Sequence, residues 1–245
     1  MLRPVRNFVH RARDRRAVKE VRSIPASRTH GRDRGGAIDR YYIEDFLRRH
    51  SSQGEYGAGD IKGRVLEITD DAYTRKFGNV RSRGEPRPGD VTQSDVLDVS
   101  DANPHATIIG DLTVETDLPE DAFDCIICTQ VLLIIYDYRA ALRTMHRALR
   151  PGGTLLMTNP GISRICRPDI DLWGDYWRFT TLSIRRLLEE LFPPENVKVE
   201  AYGNVRAAAA ALYGLSAVEL KSEELDLRDP DYEVIVGARA VKPAV

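Results

Sequence analysis

The stretch from Phe123 to Thr158 limits the possible folds more than any other part of the chain. Phe123 to Thr129 is a short, mostly apolar run of the length expected for a strand covered on both faces. Tyr138 to Leu149 sets Ala141, Leu142, Met145, Ala148 and Leu149 on one face of a helix. Pro151-Gly152-Gly153 ends that helix, and Thr154 to Thr158 is a second apolar strand. A strand, a helix and a strand in this order make a right-handed crossover between parallel strands.

The same alternation runs through most of the chain. Arg64 to Ile68, Val91 to Val96 and Ala106 to Gly110 read as three earlier strands. Val197 to Tyr202 and Tyr232 to Ala240 read as the last two, giving seven. Helices are expected over Ile38 to Leu47, Ser183 to Leu191 and Ala207 to Leu215. The expected architecture is α/β, a Rossmann-like, doubly wound, mostly parallel sheet with helices on both faces. In such sheets ligands bind beyond the carboxyl ends of the strands.

Charge divides the chain into two parts. The first 34 residues hold eleven Arg and Lys against Asp14, Glu20 and Asp33, a net of +8. The whole chain is −1, so the remainder is −9. We expect a basic extension over 1–37 and a folded domain over 38–245. The extension either folds back on the acidic body or touches an anionic surface such as lipid headgroups. The balanced total gives no reason to expect nucleic acid. No apolar stretch approaches the roughly 20 residues that span a bilayer, and the N-terminus lacks the apolar run of a signal peptide.

Cys125 and Cys128 have CxxC spacing, but strand alternation sends their thiols to opposite faces. With no second cysteine or histidine pair, a zinc site is not expected and they read as core thiols. With Cys166 the count is three, without a disulfide pattern, which suits the reducing cytoplasm.

Two stretches carry a resemblance. Asp117-Leu118-Pro119-Glu120-Asp121-Ala122-Phe123-Asp124-Cys125-Ile126-Ile127, followed by Arg147-Ala148-Leu149-Arg150-Pro151-Gly152-Gly153-Thr154-Leu155, is similar to the pattern of class I S-adenosylmethionine (SAM) dependent methyltransferases, close to the methyltransferase type 11 group. Asp175-Tyr176-Trp177-Arg178-Phe179-Thr180 resembles a segment that follows the fifth strand in many of these domains.

The resemblance implies SAM as cofactor and a cofactor site assembled from strand ends. Glu67, with Ile68, Thr69 and Asp70 after it, matches the first-strand acid and its loop. Asp95, beside Val96, matches the acid that holds the ribose hydroxyls, with Asp98 as a competitor three residues on. Asp111 matches the acid that accepts from the adenine amine, and Leu112 would pack on the ring. Thr129 and Gln130 match positions beside the methionine end. Any one acid at a strand end also reads as a helix cap or solvated loop residue.

One part of the pattern is missing. The family's first loop follows E/D-x-G-x-G-x-G, whereas here Glu67-Ile68-Thr69-Asp70-Asp71-Ala72 has no glycine before Gly78. Glycine there permits positive φ and close backbone approach, and threonine is poor at both.

The resemblance further implies methyl transfer to a small molecule through an oxygen or nitrogen nucleophile, with a sugar, a lipid-linked intermediate or a secondary metabolite as acceptor. Asp175 and Tyr176 are the expected catalytic groups. Tyr42, Tyr136 and Arg178 are the expected substrate contacts. His146, on a helix beside Met145 and Leu149, reads as structural. A catalytically silent methyltransferase-like binding module is the alternative that the glycine-poor loop supports.

Overall fold

The computed structural model describes residues 23–51, 54, 59–80, 85 and 87–244. The amino-terminal part of the basic extension lies outside them. Eight strands form one sheet: β1 (Gly63–Ile68), β2 (Asn79–Val80), β3 (Asp90–Asp98), β4 (Ile108–Ile109), β5 (Phe123–Thr129), β6 (Leu149–Pro160), β7 (Val197–Tyr202) and β8 (Ile235–Val241). Their order is β2-β3-β1-β5-β6-β8-β7, with β4 also paired to β3. All neighbours run parallel except β8, which is antiparallel to both β6 and β7. The expected Rossmann-like sheet is present. The eighth strand is the two-residue β2, too short to leave a periodic signal.

Helices cover both faces: α1 (Ile38–Arg49), α2 (Ala72–Phe77), α3 (Tyr138–Ala148), α4 (Arg167–Leu172), α5 (Thr181–Glu189), α6 (Val205–Tyr213) and α7 (Ser222–Asp226). Three of the longer helices, α3, α5 and α6, have a local reason to start where they do. Asp137 caps α3 by accepting from Ala140 N at 3.0 Å, and Asn204 caps α6 by accepting from Arg206 N and Ala207 N. Thr180 and Ser183 form a capping box at α5.

Alternation along β5 divides the core. Ile126 and Cys128 pack toward α3 and α5 with Leu66, Leu155 and Ile184. Cys125 and Ile127 pack toward α1 and α6 with Tyr42, Phe46, Val65 and Tyr202. The two thiols therefore face opposite layers, as alternation requires. Burial raises the Cys128 thiol to about 12 and pushes Cys125 up as well, so both stay protonated.

Residues 23–37 are tied to the domain at its α6 end. Ala26 N donates to Tyr213 O, Ala37 bridges Ser216, and Arg34 pairs with Glu219. No helix of the described residues is long and apolar enough to cross a membrane.

Candidate functional site at the carboxyl ends of the strands

The parallel strands deliver their last residues to one edge of the sheet. The loop after β1 turns at Thr69, whose φ is +71°. The position where the family pattern has glycine thus keeps a glycine-like backbone while carrying a β-branched side chain. Thr69 N donates to Leu97 O at 2.9 Å and its hydroxyl to Ile68 O at 2.6 Å. Asp70 then accepts from Ala72 N at 2.9 Å and starts α2.

Glu67 is buried and turns away from the cleft. It accepts from Tyr73 N, Thr74 N and the Thr74 hydroxyl, at 3.2, 2.8 and 2.8 Å. Burial raises its carboxyl and these donors lower it, leaving it at about 7. Its role is to fasten the loop to α2, and Ile68 packs against the core beside it.

Of the two acids considered on β3, Asp98 and not Asp95 stands at the strand end. Asp95 lies within the strand, opposite Leu66, and is buried with an ion pair to Arg64 at 2.6 Å. Thr107 and Gln93 donate to the same carboxylate. Val96 is also inside the strand and buried. The strand-end position belongs to Asp98, the competitor. It accepts from Ser100 N at 2.8 Å on one oxygen and from Asn103 Nδ2 at 2.6 Å on the other. Asn103 Nδ2 also donates to Thr69 O at 2.7 Å, which joins the β3 and β1 loops.

Asp98 pairs with Ile109 of β4, so Asp111 follows two residues beyond on the neighbouring strand end. Asp111 is exposed, and one of its oxygens accepts from Thr113 N and Oγ1. Leu112 is buried in the core below it. After β5, Gln130 also has positive φ, +57°, and donates from its backbone to Thr158 O. Thr129 and Gln130 open on a cavity of about 450 Å³ that Thr69 shares.

That cavity continues beyond β6 toward α1 and α4. Arg178 lines it, held by Asp175 in an ion pair and donating to Arg164 O at 2.8 Å. The Asp175 side chain has no exposed surface and accepts from Cys166 N at 2.9 Å. Burial raises its carboxyl, but Arg178 and Cys166 outweigh that and hold it below the ordinary value. It is a poor proton acceptor and a firm anchor for Arg178. Tyr176 and Tyr136 sit outside the cavity wall, half or more exposed, edge to face at 5.4 Å. Tyr42 is in the core, its hydroxyl donating to Leu225 O at 3.0 Å, because α1 packs that face against Tyr202.

The cavity also holds residues that sequence reasoning did not select: Arg28, His30 and Arg32 from the extension, Arg40 of α1, and Arg164 after β6. For Arg28 and Arg32 the dense positive charge of the first 34 residues is a signal in the sequence; His30, Arg40 and Arg164 have none.

Residues 88–157 match the family model described as "Methyltransferase domain". No curated protein matches the chain. Among solved structures, a SAM-dependent methyltransferase from Thermotoga maritima aligns with a TM-score of 0.51 and 16% identity, covering 84% of this chain and 91% of its own. One from Archaeoglobus fulgidus aligns at 0.50 and 13% identity, covering 83% and 94%. The family match and the shared fold bear out the resemblance drawn from residues 117–155.

Proposed function

We infer that this chain, a class I SAM-dependent methyltransferase by its fold and by the methyltransferase domain matched over 88–157, moves a methyl group from SAM to a small-molecule acceptor in the strand-end cleft. The observation that carries this reading is the meeting of Thr69, Asp98, Asp111 and Gln130 at the ends of four adjacent strands.

The chemistry of these groups fits the cofactor. Each Asp98 oxygen has one donor within the described residues and retains a lone pair, which suits a vicinal diol. One Asp111 oxygen has no bond among the described residues and suits an amine donor. Arg40 and Asp39, at the first turn of α1, line the cavity beside Thr69. They offer a cation for the cofactor's carboxylate and an anion for its ammonium. Arg40 is held by Tyr73 Oη at 2.6 Å. In this reading Arg40 compensates for backbone donors that a glycine loop would have supplied.

When bound, the cofactor supplies a methyl carbon activated by its sulfonium, which leaves as a neutral thioether once an acceptor oxygen or nitrogen takes the carbon. The protein's part is to hold the acceptor close, aligned and away from water. Gln130 and Arg178 line the space between the β5 end and the α4 side, where the acceptor would sit.

Calorimetry with SAM and S-adenosylhomocysteine tests the reading. Binding of the parent protein is expected, with Asp98→Ala weakening it by about 10- to 100-fold, the loss of charge-assisted bonds worth ~1.5–3 kcal/mol. Asp95→Ala should instead lower stability, because it leaves Arg64 unpaired, and change affinity less. No heat and no thermal shift with either compound would leave the silent module as the better account.

A further inference from the structure

Five guanidinium groups and three carboxylates line the cavity. Arg178 and Asp175 cancel as an ion pair. Arg40 and Asp39 serve the cofactor's methionine end in the methyl-transfer reading. What remains is Arg28, Arg32 and Arg164 against Asp169, an excess of two positive charges on a body that is otherwise acidic. None of the three guanidiniums has a carboxylate partner among the described residues. Arg164 is half-buried, and its Nε is buried with no hydrogen-bond partner among the described residues. Desolvating a guanidinium without a counter-ion costs free energy, and an anion in the cavity recovers it.

The loop that presents these groups is fixed. Ser27 Oγ accepts from Thr29 N and donates to Asp33, and the Thr29 hydroxyl also donates to Asp33 at 2.7 Å. Gly31, at φ +75°, brings the chain so close to Leu215 that a Cβ would stand 2.5 Å from its carbonyl oxygen. His30 just before it is also left-handed, φ +58°, and its imidazole lines the cavity with no hydrogen-bond partner among the described residues. Arg164 is tied to the same loop by donating to Arg28 O.

We propose that the acceptor is an anionic hydroxyl compound, its phosphate or carboxylate group held by Arg28, Arg32 and Arg164 and its hydroxyl proton taken by His30. This rests on the methyl-transfer reading and names its substrate class. The acceptor's O–H bond breaks toward the imidazole nitrogen, its oxygen bonds the methyl carbon, and the carbon–sulfur bond of the cofactor breaks with its electrons staying on sulfur. A base acts in its unprotonated form, and the surroundings of His30 favour that form: burial lowers its pKa first, Arg164 and Arg32 lower it further, and Asp39 and Asp169 oppose them in part.

The test uses the full chain saturated with S-adenosylhomocysteine and three probes: glycerol 3-phosphate, glycerate and glycerol. Calorimetry reads affinity, and NMR of labelled histidine, with the His30 signal assigned by His30→Asn, reads the imidazole pKa. An anionic probe is expected to bind and glycerol is not. A bound anion offsets the neighbouring guanidiniums, so the His30 pKa should rise on binding. Tighter binding of glycerol 3-phosphate assigns a phosphate ester, and tighter binding of glycerate assigns a carboxylic acid.

Arg32→Gln, at an exposed side chain with no hydrogen bonds among the described residues, should cut anion affinity about tenfold. It should leave S-adenosylhomocysteine affinity within about twofold. Arg164→Gln should do the same if it folds; Arg32→Gln decides if it does not. Equal binding of all three probes, no anion binding, or anion binding that leaves the His30 pKa unmoved overturns the proposal. Loss of S-adenosylhomocysteine binding with anion binding intact overturns the cofactor reading instead.

Discussion

The two poles of the sheet are built on opposite terms. At the amino end, Asp60 accepts from His50 at 2.8 Å and from Arg239 Nε and Nη2 at 2.8 and 2.7 Å, with Thr154 beside it. Burial would raise the Asp60 carboxyl, but His50 and Arg239 hold it below its ordinary range. At the carboxyl end, Thr69, Gln130 and His30 take left-handed backbone, and three guanidiniums face a cavity without carboxylate partners among the described residues. One pole closes its polar groups on each other, and the other leaves them for a ligand. Strain of this kind persists only where surrounding structure enforces it, and it collects at binding sites.

That contrast breaks most visibly at Asp60. Asp60→Ala leaves Arg239 and His50 facing one another in a site where His50 is 2% exposed. We expect ~3–5 kcal/mol of lost stability, measured by urea unfolding, because one partner of a buried pair is removed. S-adenosylhomocysteine affinity of the folded fraction should change by less than about twofold. A mild loss of stability would mean that the Asp60 cluster is not a costly pair to break, and a large loss of affinity would mean that the poles are not independent.

Glu67, buried near the carboxyl end of β1, gives the next largest effect. In the unfolded chain a glutamate ionises near 4.5, whereas in the fold Glu67 keeps its proton to about 7. Between those values the unfolded state binds fewer protons, so this group's contribution to stability declines as pH rises. The total is on the order of 3 kcal/mol. Glu67→Gln cannot ionise. The variant's stability relative to the parent should therefore rise from pH 4.5 to 7.5, as read by urea unfolding at each pH. Parallel curves would mean that the donors of α2 keep the carboxylate charged.

The fold was more legible than the site. The strands β5 and β6 and helix α3 announced themselves because buried parallel strands are continuously apolar and the helix has a strict apolar face. Thr129 and Gln130 are found at the cavity because the end of β5 follows from the end of its apolar run. Asp95 and Asp98 could not be separated in this way. Residues three apart on a strand both look like ends until the register with β1 is known, and the Arg64 bond that removes Asp95 joins two strands. Tyr42 was drawn to the cleft by its position before the first strand, but the turn of α1 points it into the core. The meeting of His30 with Arg28, Arg32 and Arg164 was not legible, because they come together only through the fold of the segment before α1 and the loop after β6.

The smallest effect sharpens the comparison most, since it asks whether the strain at Thr69 serves the ligand or is only tolerated. Left-handed backbone costs a β-branched residue ~1–3 kcal/mol, and glycine gives back ~0.5–1 kcal/mol in unfolded-state entropy. Thr69→Gly should thus stabilise the protein by about 1 kcal/mol, a rise in Tm of roughly 2–4 °C for a chain of this size. Among the described residues the hydroxyl lost bonds only to Ile68 O, a carbonyl at the exposed start of the loop, so little opposes that gain. If the family's glycine and this threonine serve the same turn, S-adenosylhomocysteine affinity should hold or improve, because the loop's course is unchanged and the cleft loses a side chain. A stabler protein with weaker binding would show instead that the threonine side chain contacts the cofactor, which would make the glycine-poor loop a working variant of the site.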